Sequence, residues 1–349
     1  MALSVNIQKR LGGFHLEVQF ETEEGVLALL GASGCGKSVT LRCIAGIMTP
    51  DEGRIELDGV TLFDSAARIN LPPQRRRTGY LFQQYALFPN MTVRQNIAAV
   101  IQNRACRHAR TGDLLRRFCL EDAAELRPRQ LSGGQQQRAA LARILAAEPR
   151  AILLDEPLSA LDSFLKRQLE LELAETLEHF QGTALWVSHD REEVFRNCRQ
   201  VCLIDRGRSQ GIRTLEDLLR HPDTEAAARL SGCENLVDVL PAGTTVQIPS
   251  WGVTLDCGRP VPEYIRLAGI RAQHLLPAKP ETRNAFSCRV DRAIRDMFST
   301  VVLLRPTDAA PGAPPLRMEL DRTVWEVLPH EAGLTVSVAP ENILFLRKA

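Results

Sequence analysis

Three short runs of continuously apolar residues frame the first two thirds of the chain: Val26-Leu27-Ala28-Leu29-Leu30, Ala151-Ile152-Leu153-Leu154 and Ala184-Leu185-Trp186-Val187. Each is followed by a helical pattern, so each is expected to be a parallel strand buried on both faces. The helix after the second run carries Leu165, Leu169, Leu173 and Leu177 at i, i+4 spacing, a stripe that faces a core. Leu16, Val18 and Phe20 alternate with polar residues, and GRIELDG at 53–59 does likewise. That period of two predicts an antiparallel sheet beside the parallel core. Between about 88 and 150 strand signals vanish, and a helical insertion is expected there.

The texture changes after about Cys233. Short β-type runs recur at Thr245–Ile248, Phe286–Val290, Val301–Leu304 and Leu334–Val338, separated by Pro/Gly turns, and PTDAAPGAPP (306–315) reads as a loop. The pattern predicts a small all-β barrel over 233–349 behind a first domain over 1–232. His274 in the second part reads as a surface or packing residue.

Charge and cysteine content narrow the class. With 43 basic against 42 acidic residues among 349, the net charge is +1, which argues against a broad polyanion-binding face; no nucleic-acid partner is expected. Nine cysteines, an odd number without a CxxC pair, read as reduced thiols of a cytosolic protein rather than a disulfide framework. The N-terminus lacks a basic-then-apolar signal segment. No run of about 18 apolar residues suggests a membrane span.

The candidate chemistry begins directly after the first strand. GASGCGKS (Gly31, Ala32, Ser33, Gly34, Cys35, Gly36, Lys37, Ser38) matches G-x-x-x-x-G-K-[ST] and leads through Val39 into a helix expected to reach Ala45. Glycines let successive backbone N–H groups turn inward around phosphate oxygens; Lys37 adds a point charge for the β- and γ-phosphates, and Ser38 offers a hydroxyl to Mg²⁺. Cys35 reads as a small filler. The second strand ends in Asp155-Glu156, placing one carboxylate for the Mg²⁺ shell and the next to polarise a water attacking the γ-phosphate. The third ends in Ser188-His189, where His189 can sense that phosphate. All three lie at carboxyl ends of parallel strands, where open α/β sheets place ligands. A further stretch, LSGGQQQRAALARIL (131–145), opens a helix with Ser132, Gly133, Gly134 and Gln135, a polar start whose backbone N–H groups an anion can approach closely.

Taken in order, GASGCGKS, YLFQQ (80–84), LSGGQ (131–135), ILLDEP (152–157), SALD (159–162) and VSHD (187–190) resemble the nucleotide-binding subunit of ABC transporters over the first 230 or so residues. The resemblance implies an α/β P-loop ATPase: a RecA-like parallel-sheet core with an antiparallel β subdomain and a helical subdomain, here followed by a small OB/MOP-like barrel. It implies ATP and Mg²⁺ as ligands. It also implies a head-to-tail homodimer in which the LSGGQ of one chain faces the phosphate loop of the other, so that one chain has two half-sites. By the same resemblance Gln83 links Mg²⁺ and attacking water to the helical insertion, and Asp162 sits at the dimer seam. Phe14 is the nearest candidate for the aromatic that stacks on adenine, with a core or hairpin role as its alternative. Arg75-Arg76-Arg77 is expected to be a solvated turn.

One nucleotide module without fused membrane helices, followed by a small barrel, looks like a bacterial or archaeal importer ATPase. Such a subunit acts at the cytoplasmic face of the membrane, with permease subunits and, through them, an extracytoplasmic anion-binding protein. Phe88, Pro89, Met91 and Val93 would form the groove for the permease, ordinary packing being the alternative. The short N-terminus and IRAQHLLPAKPETRNAFSCRV (270–290) look like molybdate-importer ATPases. Ser287, Ser299 and Thr300 are eligible for an oxyanion effector on the barrel. Sulfate, ferric-iron, polyamine and sugar importers remain alternatives, as does an ABC ATPase working away from membranes.

Overall fold

A computed structural model describes residues 2–82, 85–159, 163–328 and 333–348, without the side chains of 163–165. The chain separates into two units, Met1–Leu215 and Glu216–Ala349.

The first unit is organised by one sheet of eleven strands. They are β1 (Leu3–Leu11), β2 (Phe14–Thr22), β3 (Gly25–Leu30), β4 (Glu52–Leu57), β5 (Val60–Asp64), β6 (Ile69–Asn70), β7 (Thr78–Leu81), β8 (Ala151–Asp155), β9 (Thr183–Val187), β10 (Gln200–Asp205) and β11 (Arg208–Thr214). Their order is β6-β5-β4-β1-β2-β11-β10-β3-β9-β8-β7. The strands from β10 to β7 pair in parallel, whereas β1 pairs antiparallel with both β2 and β4. The two halves follow from two hydrophobic periods. All five residues of β8 and of β9 are buried, as continuous apolar runs require when both faces are covered. In β1 and β2 the inward set is Leu3, Val5, Ile7, Leu16, Val18 and Phe20, and it joins Leu27, Leu29, Leu41 and Ile44 in one core.

Helices of this unit are α1 (Lys37–Ala45), α2 (Val93–Ala98), α3 (Arg107–Arg117), α4 (Gly133–Ala146), α5 (Ser163–Glu178) and α6 (Arg191–Asn197). Among the described residues no strand occurs between β7 and β8, and α2, α3 and α4 pack together there as the expected helical insertion. In α5, Leu169, Leu173 and Leu177 of the leucine stripe are buried and face the core, and the Leu165 side chain lies outside the described residues.

The second unit begins with most of α7 (Leu215–Arg220) and α8 (Glu225–Leu230), then, among the described residues, runs through eleven short strands and one further α-helix, α9 (Arg322–Val327). Its largest sheet holds β17 (Leu275–Pro277), β18 (Phe286–Arg295), β19 (Ser299–Pro306), β20 (Leu316–Asp321) and β21 (Leu334–Val338); here β12 to β16 are Asn235–Asp238, Leu240–Ala242, Thr245–Ile248, Val253–Asp256 and Leu267–Ile270, and β22 is Leu344–Leu346. The order β17-β21-β18-β19-β20 brings β17 back against β20, giving a nearly closed small barrel around Trp251, Phe286, Val302, Met318 and Val336. The line between units falls at 215/216, ahead of the expected 232/233. The reason is local: Ala228 of α8 packs with Cys233, Leu267 and Leu346, and the buried Arg271 donates to the Leu219 carbonyl and the Ser231 hydroxyl.

Candidate nucleotide site

The register of the parallel strands builds the site. Leu29 of β3 pairs with Val187 of β9, and Val187 pairs with Asp155 of β8, so three strands end on one row beneath the loop 31–36. α1 starts immediately after that loop. Its N-cap, Gly36, has φ 110° and offers no side-chain cap, which leaves the first-turn N–H groups free of a side-chain partner. A Cβ at Gly36 would meet Leu16 Cδ1 at 2.3 Å as well as the Phe14 ring, so both conformation and space demand glycine here.

Lys37 is 6% exposed, and its Nζ donates to the carbonyls of Gly31 at 2.7 Å and Ala32 at 3.0 Å. Ser38 Oγ donates to Asp155 Oδ1 at 2.7 Å. Asp155 is buried, and its other oxygen, Oδ2, accepts the Tyr80 hydroxyl at 2.7 Å. A hydroxyl and a carboxylate side by side are hard oxygen donors of the kind Mg²⁺ takes alongside substrate phosphates, so the residues fit that ion. Burial and the Asp155 carboxylate together push the Tyr80 phenol well above its ordinary pKa, which keeps it a proton donor. The Cys35 thiol is raised mainly by burial, with nearby Lys37 acting the other way.

Glu156 adopts φ 50°, a left-handed conformation costing roughly 1–3 kcal/mol for a non-glycine residue. It is held there by its N–H donating to the Val187 carbonyl at 2.9 Å and by Ser159 Oγ donating to its carbonyl at 3.0 Å. Its Oε1 lies 3.3 Å from His189 Nδ1. His189 leaves β9 next to an anchored turn: Ser188 Oγ donates to Glu193 Oε2, and Lys166 Nζ lies within 2.7 Å of both Asp190 and Glu193. Phe14, Ser33, Gly34, Gly36, Lys37, Ser38, Val39, Glu156 and His189 line one cavity of about 490 Å³. Two larger hollows of this unit, about 760 Å³ over β1, β2, β4 and β11 and about 1020 Å³ beside α5, contain none of the phosphate-loop residues.

At the start of α4, Ser132 forms a capping box: its hydroxyl accepts from the Gln135 N–H at 3.3 Å, while Gln135 Oε1 accepts from the Ser132 N–H at 3.0 Å. Ser132 and Gly133 are exposed. None of Ser132, Gly133, Gly134 and Gln135 lines the cavity with Lys37.

A family model described as ABC transporter matches residues 15–159. A molybdenum import ATP-binding protein of Rhodospirillum rubrum is 33% identical over 330 residues, 90% of this chain and 89% of that protein. The chain belongs to the ABC transporter family. A putrescine transport ATP-binding protein of Escherichia coli is 40% identical over 240 residues, 67% of this chain and 62% of the relative, so the chain spans less than two thirds of that relative's length. Among solved structures, a dimeric ATP-binding cassette in a post-hydrolysis state bound to ADP and Pi is 29% identical, covering 61% of this chain and 98% of that chain with a TM-score of 0.50.

In this ABC protein the residues singled out in the sequence sort unevenly. Ser33, Gly34, Gly36, Lys37, Ser38 and Val39 converge with Phe14, Glu156 and His189 on one cavity, Gly31, Ala32 and Cys35 are not in its lining, and Asp155 is hydrogen-bonded to Ser38. Gln83 and Asp162 lie outside the described residues. The arginine turn is corrected at one position: Arg75 and Arg77 are exposed, but Arg76 is 1% exposed and donates to the Cys43 and Ile44 carbonyls at the end of α1. Of the expected groove, Phe88 and Met91 are exposed whereas Val93 is a core residue of α2. Ser287, Ser299 and Thr300 do not come together. Ser287 stands opposite Thr307, beyond the end of β19, about 25 Å along the strand from Ser299, and the Thr300 side chain is buried. Tyr80 escaped the sequence reading. Its available signal was a tyrosine in a strand otherwise alternating into the core, since a half-buried phenol needs a hydrogen-bond partner.

Proposed function

We propose that this chain is the ATP-hydrolysing subunit of an importer, acting as a head-to-tail pair of copies at the cytoplasmic face of a membrane through permease subunits, with molybdate or tungstate as cargo delivered by an extracytoplasmic binding protein. The observation that carries the ATPase reading is the convergence of Lys37, Ser38, Glu156 and His189 on one cavity, with Asp155 bonded to Ser38. The loop N–H groups and Lys37 bind the phosphates, Phe14 offers a ring to the base, and Ser38 with Asp155 would hold Mg²⁺. That ion, when bound, neutralises phosphate charge. Glu156 accepts a proton from the attacking water, and the adjacent His189 imidazole lines the same cavity, within reach of the phosphate it would sense. The start of α4, exposed at Ser132 and Gly133 and absent from its own chain's cavity lining, supports a site completed by a second copy. Closure of that pair then requires that ATP bind the closed state more tightly than the open one.

The cargo assignment rests on likeness to the Rhodospirillum rubrum protein along most of both chains. The higher identity to the Escherichia coli putrescine protein, over a shorter stretch, favours a polyamine as the second reading. The test is ATP turnover by the chain assembled with its permease and binding protein in lipid vesicles, titrated with molybdate, tungstate, sulfate and putrescine. Stimulation confined to molybdate and tungstate supports the proposal, and stimulation by putrescine alone transfers it to polyamines. Turnover indifferent to all four leaves the ATPase and removes the cargo.

A further inference from the structure

Asp155 is gripped from two elements. Ser38, on α1, donates to one carboxylate oxygen, and Tyr80, on the neighbouring strand β7, donates to the other, both at 2.7 Å. A carboxylate at a strand end turns easily about its last torsion, which has broad, shallow wells. Two donors on opposite oxygens fix that torsion. Tyr80 is itself fixed, with its ring against Phe82 at a centroid distance of 4.4 Å. Because β7 pairs with β8 from Thr78↔Ala151 to Leu81↔Leu154, the phenol reaches the end of β8 without distorting either strand.

We infer that Tyr80 is a positioning residue for the divalent cation: by donating to Asp155 Oδ2 it holds Oδ1 toward Ser38 and the phosphate loop. The inference rests on the proposed Mg²⁺-nucleotide site. The carboxylate's orientation is then set before the ion arrives. Groups that orient a metal-binding carboxylate typically alter metal affinity or activity by roughly 10–100-fold when removed.

The experiment compares the full-length wild type with Tyr80→Phe, which keeps the ring and its contact with Phe82 while removing the hydroxyl. A fluorescent ADP analogue reports nucleotide affinity in EDTA and the free Mg²⁺ concentration that half-saturates the nucleotide-loaded protein. We expect the EDTA affinity to stay within about twofold, and the half-saturating Mg²⁺ to rise roughly tenfold. Unchanged Mg²⁺ dependence in Tyr80→Phe overturns the inference. So does an equal loss of affinity in EDTA and in Mg²⁺, which would make Tyr80 a packing residue of the loop. A wild type whose nucleotide binding ignores Mg²⁺ fails one step earlier, at the metal site itself, and is seen without the variant.

Discussion

Replacing Arg76 by Met tests whether a buried guanidinium holds the helix that follows the phosphate loop. The substitution keeps an unbranched apolar stem and removes four donated bonds: Nε to the Leu71 carbonyl, Nη1 to the Cys43 and Ile44 carbonyls, and Nη2 to Asn70 Oδ1, all between 2.7 and 2.9 Å. Each buried acceptor left without a donor costs about 1–3 kcal/mol. A cation at a helix C-terminus adds up to about 2 kcal/mol in partly buried geometry. Against these stands the desolvation of the guanidinium, which the methionine avoids. The net expectation is about 3–5 kcal/mol, the range for breaking a buried charged contact. For a unit of this size, at about 2–4 °C per kcal/mol, the melting temperature should fall by roughly 6–20 °C. Thermal unfolding of the full chain by calorimetry, with the exposed Arg75→Met as control, measures it. A melting temperature unchanged to within about 1 °C would refute the capping role.

Other outcomes follow from the same geometry. Lys37→Ala should weaken ATP binding by roughly 10–100-fold, the value of one charge-assisted contact, as read by fluorescent-nucleotide titration; full affinity would remove the phosphate-loop assignment. Glu156→Gln should slow hydrolysis by about 10²–10⁴-fold with ATP binding retained, and size-exclusion chromatography in ATP should show a lasting dimer; a monomer there contradicts the shared site. Gly46→Ala places a Cβ 2.5 Å from Arg76 Nε at φ 77°, so a loss of about 1–3 kcal/mol is expected by chemical denaturation. Ser132→Arg should cripple turnover while leaving the chain's own ATP affinity nearly unchanged; an affinity loss matching Lys37→Ala would mean the signature serves its own chain.

The parts legible in the sequence were those governed by local chemistry. Buried runs such as Ala151–Leu154 can only be doubly covered strands, and a Gly36-Lys37-Ser38 turn between strand and helix has few other uses. Ser132 was legible as the start of a helix, whereas the capping box that occupies the Gln135 N–H was not part of that reading. What escaped depended on partners distant in sequence. Arg76 looks like any arginine in a polar turn until α1, more than 30 residues earlier, brings its last carbonyls alongside. Tyr80 needs the β7–β8 register before Asp155 comes within reach. The division at 215/216 is not marked in the sequence, because α7 and α8 share the helical texture of the first unit while α8 packs against strands that follow it. Hydroxyl residues on β18 and β19 could be gathered into one site only by ignoring the length of the hairpin between them.

The lysine of the phosphate loop already behaves as a ligand of its own cradle. With Nζ on the Gly31 and Ala32 carbonyls and 6% of its surface exposed, the Lys37 side chain is held in one arrangement by the loop itself. A free lysine carries about 1.5–2 kcal/mol of such freedom, so an arriving phosphate is spared a penalty worth roughly ten- to thirtyfold in affinity. The ammonium of Lys37 is thereby placed by loop oxygens, and its position is set by the backbone of residues 31 and 32 rather than by the side chain's own torsions.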